Sequence, residues 1–243
     1  MAKEIEENIN TWISQIETEY KAANSVDCVI FGYDEEDDSL KVLVLECNMP
    51  PFVGLPSLVG DLVRPTEDLD NSALRILEQR TGIKDLYLEQ VATFGNTNRH
   101  PLGRVISTAY YALLKVSDYI PLSQSNTDKV KWMSIKDISE MAFDHKNILE
   151  VCVERLKKAV RQKPIGFTLL PKMFTLKQLQ SVYEVILGIK LDKRNFRRKL
   201  KNFEILIEHQ KLQKDVNHRP AKYYSFNFYE YNKREKEGYG FEL

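Results

Sequence analysis

Side chains that could bind a metal ion and a phosphate group gather in residues 60–83, in the stretch GDLVRPTEDLDNSALRILEQRTGI. Carboxylate oxygens are the protein ligands that Mg²⁺ prefers, and a bound cation can neutralise a diphosphate and activate water. Glu67 and Glu78 could supply such oxygens. Gln79, however, would be a weak neutral ligand, and Arg80 would repel a cation. The stretch therefore has the setting for metal-assisted phosphate chemistry but lacks most of the ligands.

A loop followed by a helix must position these side chains. Pro65 and Thr66 close the loop, and Asn71 or Ser72 can cap the helix N-terminus. The residues predicted to be buried on one side of the helix are Leu74, Ile76 and Leu77. Gly82 is predicted to end the helix as its C-terminal cap.

This loop and helix resemble the Nudix box, in which a first glutamate is followed by seven intervening residues and then by the pattern Arg-Glu-apolar-x-Glu-Glu-x-Gly-apolar. The alignment is anchored on Arg75, Leu77, Gly82 and Ile83. It places Glu67 at the first glutamate position, whereas Ile76, Gln79 and Arg80 occupy the three later ones. The chain keeps this frame, meaning the spacing of the box, but has lost the three carboxylates. The stretch is therefore predicted to be a structural element without the catalytic chemistry of the box. A chance match of an amphipathic helix is the alternative interpretation.

The second chemically distinctive stretch is DKRNFRRKLKNF at residues 192–203. At about 100° per residue, Phe196, Leu200 and Phe203 form an apolar stripe on one side of a helix. The basic residues on the other side are Arg194, Arg197, Arg198 and Lys201. Arginines on such a face can read guanine edges or phosphates, and Asn195 can read adenine. The face therefore predicts entry into the major groove of DNA, with a basic helix that only confers solubility as the alternative.

The elements around this helix predict a winged helix-turn-helix. Thr175 caps a preceding helix that Gly188 ends, and Asp192 caps the basic helix. Two strands follow, at residues 205–209 and 223–226. Arg219, between these strands, is predicted to enter the minor groove, and Lys222 is predicted to contact phosphate.

Length and composition allow one large domain or two modest ones in this chain of 243 residues. The net charge is zero, but residues 163–243 carry 17 Lys and Arg against 9 Asp and Glu, and the remainder carries 18 against 26. This asymmetry suggests two domains, of which the second meets a polyanion. The chain has three scattered cysteines, no long apolar run and no signal sequence at its start. We therefore expect a cytoplasmic protein without a structural metal or a cofactor.

Apolar runs predict strands at residues 26–33, 40–46, 57–59, 86–94, 105–116 and 129–133, and helices at residues 135–141 and 147–162. This order matches an α/β fold, a Nudix-like α/β/α sandwich followed by the winged helix-turn-helix. The KPIGF stretch at residues 163–167 marks the break between them. The predicted domains are an N-terminal amphipathic helix at residues 1–24, a Nudix-like effector-sensing domain at residues 25–162 and a winged-helix DNA-binding domain at residues 163–243.

The N-terminal helix carries an apolar stripe with helical spacing. Its members are Ile5, Ile9, Trp12, Ile13, Ile16 and Tyr20. The stripe can pack on the body of the protein or on a second subunit, and the first interpretation is favoured.

Taken together, the degenerate box, the stretch FTLKQLQSVYEVILGIKLDKRNFRRKL and the segment RPAKYYSF resemble the Nudix-related transcriptional regulators. In that family a Nudix-like domain senses a metabolite and a C-terminal winged helix binds operator DNA, usually as a homodimer. One branch responds to ADP-ribose and regulates NAD metabolism, and another comprises the Bacteroidetes arabinose-type sugar regulators. The stretches LPKMFTLKQLQS and EQVATFG are more similar to the sugar branch, which implies an effector such as L-arabinose rather than ADP-ribose.

The resemblance also implies that the effector lies near a polar loop and the segment around residue 144. Arg99 and Asp144 are then candidates to hydrogen-bond sugar hydroxyls, Arg104 is a candidate to pair with a phosphate, and His145 lies beside them. Each of these four residues could instead be structural. The leading hypothesis is a ligand-responsive transcriptional regulator without enzymatic activity. The alternatives are a Nudix hydrolase of nucleoside diphosphate compounds, with a metal site rebuilt from Glu67 and Glu78, and a scaffold that ignores small ligands.

Overall fold

The computed structural model describes residues 2–19, 21–119, 129–213 and 220–243. The strands of its larger sheet are β1 (Ala23–Asp34), β2 (Ser39–Glu46), β3 (Pro56–Ser57), β4 (Val59–Leu62), β5 (Glu89–Phe94), β6 (Val105–Lys115) and β7 (Val130–Ser134). Their order is β3-β2-β1-β6-β5, with β4 paired to β1 and β7 paired to β2. The central strands β1 and β6 run parallel, and the other pairs are antiparallel.

Alternate residues of β1 face opposite sides of this sheet, as the two-residue period of a strand requires. Cys28 and Ile30 are buried on the side covered by helix α2 (Leu69–Thr81). Val29 and Phe31 are buried on the side covered by helix α3 (His145–Gln162). One helix on each face confirms the predicted Nudix-like α/β/α sandwich.

Helix α2 differs from its prediction at its N-terminus and on its buried face. The N-cap residue is Asp68, so the prediction of Asn71 or Ser72 as the cap is wrong. The Ser72 hydroxyl instead donates to the Glu67 carboxylate at 2.8 Å. Leu74 is 41% exposed, because the register of the helix turns Ala73 and its neighbours Ile76 and Leu77 toward the sheet. The predicted C-terminal cap is confirmed, since Gly82 has φ 75° and its N–H donates to the Glu78 carbonyl.

The helix predicted at residues 135–141 is wrong beyond its first turn, which is a 3₁₀ turn at Ile135–Asp137. The chain then leaves helical geometry because the Ala142 N–H donates to the Pro56 carbonyl at 2.9 Å. Phe143 follows with φ 54°, a left-handed conformation that reverses the chain before α3.

Helix α1 (Ala2–Thr18) presents its apolar stripe to solvent. The stripe residues with described side chains, Ile5, Ile9, Trp12, Ile13 and Ile16, are 39–63% exposed. The prediction that this stripe packs on the body of the protein is therefore wrong, and its packing on a second subunit remains a prediction. Tyr20 lies outside the described residues.

The C-terminal part confirms the predicted winged helix-turn-helix. It comprises a 3₁₀ segment (Pro164–Leu169), α4 (Leu176–Leu187), α5 (Lys193–Phe203), β8 (Leu206–Leu212), β9 (Lys222–Phe226) and α6 (Phe228–Lys236). The predicted caps are confirmed: Thr175 forms a capping box with Gln178, Gly188 ends α4 with φ 68°, and the Asp192 carboxylate accepts from the Asn195 N–H. Helix α6 was not predicted from the sequence.

A continuous apolar core joins the winged helix to the sandwich. Leu156 and Val160, in the last two turns of α3, belong to the same buried cluster as Phe167 of the 3₁₀ segment. Leu179 and Tyr183 of α4 complete this contact, and both have no exposed surface. Burial of this kind holds the two parts in a defined relative position.

Two polar contacts and the C-terminal tail reinforce this interface. The Ser181 hydroxyl on α4 donates to the carboxylate of Asp38, in the β1–β2 turn, at 2.5 Å. Phe241 is buried against Phe203, at the end of α5, and the Leu243 N–H donates to the Arg161 carbonyl at the end of α3. No helix among the described residues is long and apolar enough to span a membrane.

Candidate effector pocket and nucleic-acid interface

The sandwich contains a cavity of about 400 Å³ where β1 and β4 meet the loops before β6 and α3. This volume lies within the range of small-molecule pockets, roughly 300–1,000 Å³. The polar side chains that line this cavity include Asp27, Arg80, Arg99, His100, Arg104 and His145. Three of the four predicted effector residues therefore reach one cavity, and the fourth, Asp144, contacts one of them.

A buried network of charges forms the floor of this pocket. The Arg99 guanidinium donates to Asp144 at 3.0 and 2.7 Å and to Asp27 at 3.3 Å. Asp27 also accepts from the Ser107 hydroxyl at 2.5 Å. The side chains of Arg99 and Asp27 are 3% and 6% exposed, so each charge depends on the other for neutralisation. Arg99 and Asp144 bond to each other, which fixes the position of both side chains, and their contact with an effector remains a prediction.

His145 is held as a neutral ring in this network. Its Nδ1 accepts from the Leu58 N–H at 2.9 Å, which leaves the proton of the neutral ring on Nε2, 3.4 Å from the Asp27 carboxylate. Burial lowers the pKa of His145, an effect that the nearby Asp27 and Asp144 carboxylates oppose. His145 therefore fixes the position of Leu58 in β3–β4 and of Asp27 in β1.

We expect the free energy of unfolding to fall as the pH is lowered below the ordinary His pKa of 6.5. Because the folded pKa of His145 is lowered, the unfolded chain binds a proton that the folded protein excludes, so this contribution is fully present above that pH and is lost below it. Its slope is at most about 1.4 kcal/mol per pH unit. Urea denaturation at a series of pH values between 8 and 5 gives the free energy of unfolding at each pH and measures this slope.

The matched control for this pH dependence is His145→Asn, since the asparagine Oδ1 can still accept from the Leu58 N–H. The variant retains the other titrating groups but has no imidazole to protonate. We expect its stability to decrease less steeply than that of the wild type as the pH falls. Parallel curves of stability against pH for the two proteins would contradict the assignment of this pH dependence to His145.

Gly60 leaves space for the Asp27 side chain at a point where β4 and β1 lie close together. A Cβ atom added at Gly60 would lie 2.2 Å from the Asp27 carboxylate and 2.8 Å from the Val26 carbonyl. Only glycine fits at this point of β4 without displacing the carboxylate from Arg99.

Aromatic rings cover one wall of the pocket. The rings of His100 and Phe143 stack in parallel planes with centroids 5.0 Å apart, and Phe52 packs on Phe143 at 4.8 Å. Burial lowers the pKa of His100, which favours its neutral ring. An uncharged, flat and partly exposed wall of this kind suits a nucleobase or a sugar face.

The carboxylates predicted for an alternative metal site are held apart from the pocket. Glu67 accepts from the Arg75 guanidinium at 2.7, 3.0 and 2.8 Å, and this arginine lowers the pKa of the carboxyl group. Glu78 instead pairs with Lys84 at 2.8 Å on the protein surface. Within the described part of the chain, no group of three His, Cys, Asp or Glu residues is arranged to hold a metal ion.

Helix α5 presents the predicted basic face. Phe196 and Leu200 are 3% and 1% exposed and anchor the helix against α4, whereas Arg194, Arg197 and Lys201 are exposed. Among the described residues, these three cations have no carboxylate partner within ion-pair distance. The buried anchors and the unpaired cations together make a rigid, positive surface that suits a polyanion.

The remaining predicted DNA-binding residues have different environments. The exposed Arg198 guanidinium donates to the Asn195 side chain, which orders both groups on the same face. Lys222, at the start of β9, pairs with Glu208 at 2.5 Å and is 55% exposed. Arg219 lies outside the described residues.

The sequence analysis missed Asp27 and His100, which line the pocket, and Ser107, which donates to Asp27. Asp27 had a detectable signal, because a charged residue inside the apolar run VDCVIFGY must find a buried partner. Ser107 and His100 had none, since their roles depend on strand and loop packing.

Comparison with known proteins agrees with this architecture. Residues 21–152 match the NUDIX domain, and residues 166–226 match the NrtR DNA-binding winged helix domain. A Nudix fold with a pocket, joined to a winged helix with an arginine-rich face, defines a ligand-responsive transcriptional regulator. The chain belongs to the NrtR family of Nudix-related regulators, as its resemblance to Nudix-related transcriptional regulators predicted.

Two relatives, one of them in two crystal structures, illustrate the similarity. The ADPR responsive transcriptional repressor NtrR of Acinetobacter baylyi is 32% identical over 212 residues, which cover 86% of this chain and 83% of that protein. The crystal structure of Shewanella oneidensis NrtR complexed with a 27mer DNA is 32% identical with a TM-score of 0.69, over 89% of this chain and 96% of that chain. The NUDIX domain of the same protein, crystallised with ADP ribose, is 33% identical with a TM-score of 0.50, over 56% of this chain and 89% of that domain.

Proposed function

We propose that this protein is a transcriptional repressor that responds to ADP-ribose, and that its Nudix-like sandwich senses the nucleotide without hydrolysing it. The relative from Acinetobacter baylyi carries that description, and the NUDIX domain of the Shewanella relative was crystallised with ADP ribose. The sugar effector expected from the sequence has no support among these relatives. ADP-ribose therefore replaces L-arabinose as the proposed effector.

The observation that carries this proposal is the course of helix α3. The helix begins at the pocket, where Asp144 and His145 belong to the buried network, and it ends in the core of the winged helix. Its 18 residues span about 27 Å at 1.5 Å per residue. A ligand that shifts the N-terminus of this rigid element changes the position of the winged helix as well.

The chemistry of the pocket suits the proposed effector. The stacked rings of His100 and Phe143 offer a flat wall to adenine, and the guanidinium groups of Arg80 and Arg104 line the same cavity. Arg99 and Asp144 shape the floor, as does His145. The winged helix would bind double-stranded operator DNA through the arginine face of α5.

Two further properties belong to this proposal. We propose that the protein lacks hydrolase activity, because Ile76, Gln79 and Arg80 replace three carboxylates of the box. We also propose a homodimer, as the family resemblance implies, for which the exposed stripe of α1 offers a contact surface. Sedimentation of the purified protein measures the dimer, and incubation with ADP-ribose and Mg²⁺ measures hydrolysis.

The experiment that tests the function combines DNA binding with effector binding. Fluorescence anisotropy with a labelled fragment from upstream of the protein's own gene gives the DNA affinity, with and without ADP-ribose. We expect ADP-ribose to change that affinity by about 5- to 150-fold, the usual size of an allosteric coupling. L-Arabinose serves as the comparison ligand and is expected to have no effect. DNA binding that ignores both ligands would overturn the regulator, and a response to L-arabinose alone would overturn the effector.

A further inference from the structure

The residue at the last glutamate position of the box changes how a phosphate group can be bound. Arg80 stands there, in the last turn of α2, and its side chain is about a third exposed. The guanidinium donates to the Asp61 carboxylate of β4 at 2.6 Å, and both residues line the cavity. The sequence thus places a positive charge in the pocket at a position where the box pattern has a metal-binding carboxylate.

A divalent cation does not fit the side chains around this pocket. The Arg80 guanidinium repels a cation, and the two glutamates of the box region are engaged elsewhere, Glu67 with Arg75 and Glu78 with Lys84. Neither Glu67 nor Glu78 lines the cavity. The carboxylates that do line it are those of Asp27, Glu46 and Asp61. Each already pairs with a cation, Asp27 with Arg99, Glu46 with Lys129 and Asp61 with Arg80. Cation binding would require at least one of these pairs to break.

A diphosphate nevertheless needs positive charge in any pocket that removes it from water. Arg99 cannot supply it, because the carboxylates of Asp27 and Asp144 already balance its charge. Arg104 can, since its guanidinium lines the cavity and donates to the Gly95 carbonyl at 2.5 Å without a carboxylate partner among the described residues. Arginine is well suited to this role, as its planar group binds two phosphate oxygens at once.

Arg80 can supply the second charge by exchanging its contact with Asp61 for a phosphate oxygen. The Arg80–Asp61 pair is partly exposed, with side chains 34% and 43% accessible. Partly exposed pairs of this kind contribute little to stability, so a phosphate oxygen can replace the Asp61 carboxylate at little cost. Water can then solvate Asp61, whose side chain is partly exposed.

We propose that Arg80 and Arg104 take the place of the divalent cation, so that this protein binds the diphosphate of its effector without metal. This inference rests on the proposed function, in which the effector is ADP-ribose, and adds the chemical means by which the diphosphate is recognised. It also explains why loss of the box carboxylates is compatible with a nucleotide pocket.

Calorimetric titration of the full chain with ADP-ribose, in one buffer with EDTA and one with MgCl₂, tests the inference. We expect the same affinity in both buffers. Arg80→Gln and Arg104→Gln are each expected to weaken binding about tenfold or more, the effect of losing a hydrogen bond to a charged group. Arg64→Gln is the matched control, because Arg64 is exposed and lies outside the cavity. Adenosine, which has no phosphate, should bind the wild type and the Arg80→Gln variant equally.

The outcomes separate this inference from the proposed function. Binding of ADP-ribose only in the presence of Mg²⁺ would overturn the metal-free site and leave the effector intact. Metal-free binding that is unchanged in both pocket variants would overturn the assignment of Arg80 and Arg104. If ADP-ribose binds in neither buffer, the proposed effector is wrong and the inference is lost with it.

Discussion

Replacing Arg99 with methionine is expected to lower the free energy of unfolding by about 3–5 kcal/mol, the usual result of removing one partner from a buried ion pair. Asp27 would remain buried between two strands, with the Ser107 hydroxyl and the His145 ring beside it. Asp144 would also lose both of its guanidinium contacts. Urea denaturation followed by fluorescence measures the change.

Two variants make this result specific to the buried charge. Arg64→Met removes an exposed arginine whose pair with Glu67 is 3.4 Å long, and it is expected to change stability by less than about 1 kcal/mol. The double variant Asp27→Asn with Arg99→Met is expected to be more stable than the sum of the single effects predicts, by about 0.5–3 kcal/mol. A stability of Arg99→Met within about 1 kcal/mol of the wild type would show that these charges are not desolvated.

Substitution of Arg197 or Arg198 by alanine is expected to weaken DNA binding by about 1–3 kcal/mol each, if the side chains contact base edges. Both residues are exposed on α5, and the buried anchors Phe196 and Leu200 hold the helix in place without them. The fold should therefore be unaffected, which thermal unfolding verifies. The measurement is the dissociation constant for operator DNA over a range of salt concentrations.

The salt dependence distinguishes the two kinds of contact. Loss of a phosphate contact reduces the slope of log affinity against log salt by about 1 and weakens all DNA sequences equally. Loss of a base contact instead relaxes the preference for the operator over unrelated DNA. Arg155→Ala is the matched control, because it removes one positive charge from α3, far from α5 in the chain. Unchanged affinity in both α5 variants would show that this helix does not enter the groove.

The sequence predicted most of the winged helix because its signals are local. Thr175, Gly188 and Asp192 cap their helices through contacts within three or four residues, so residue type and spacing were sufficient. The separation of arginines from apolar residues in α5 depends only on the helical period. The unpredicted α6 has a weaker pattern, with Phe228 and Tyr229 exposed rather than buried.

The errors arose where neighbouring elements decide the outcome. Leu74 has the spacing of a core residue, yet the sheet lies on the side of Ala73. The stripe of α1 has the spacing of a packed helix, but the described structure contains no surface that covers it. Periodicity identifies an apolar face without showing what that face meets.

Residues 60–83 show where sequence and tertiary structure each contribute. Residue types at fixed spacing were enough to show that the box keeps its frame and loses its carboxylates. The folded structure was needed to show that Arg80 lines a cavity and that Arg99 neutralises Asp27 from 72 residues away. It was also needed to show that α3 joins this pocket to the winged helix. Charge neutralisation and domain contact depend on which distant residues meet, and that information resides in the packing of the elements.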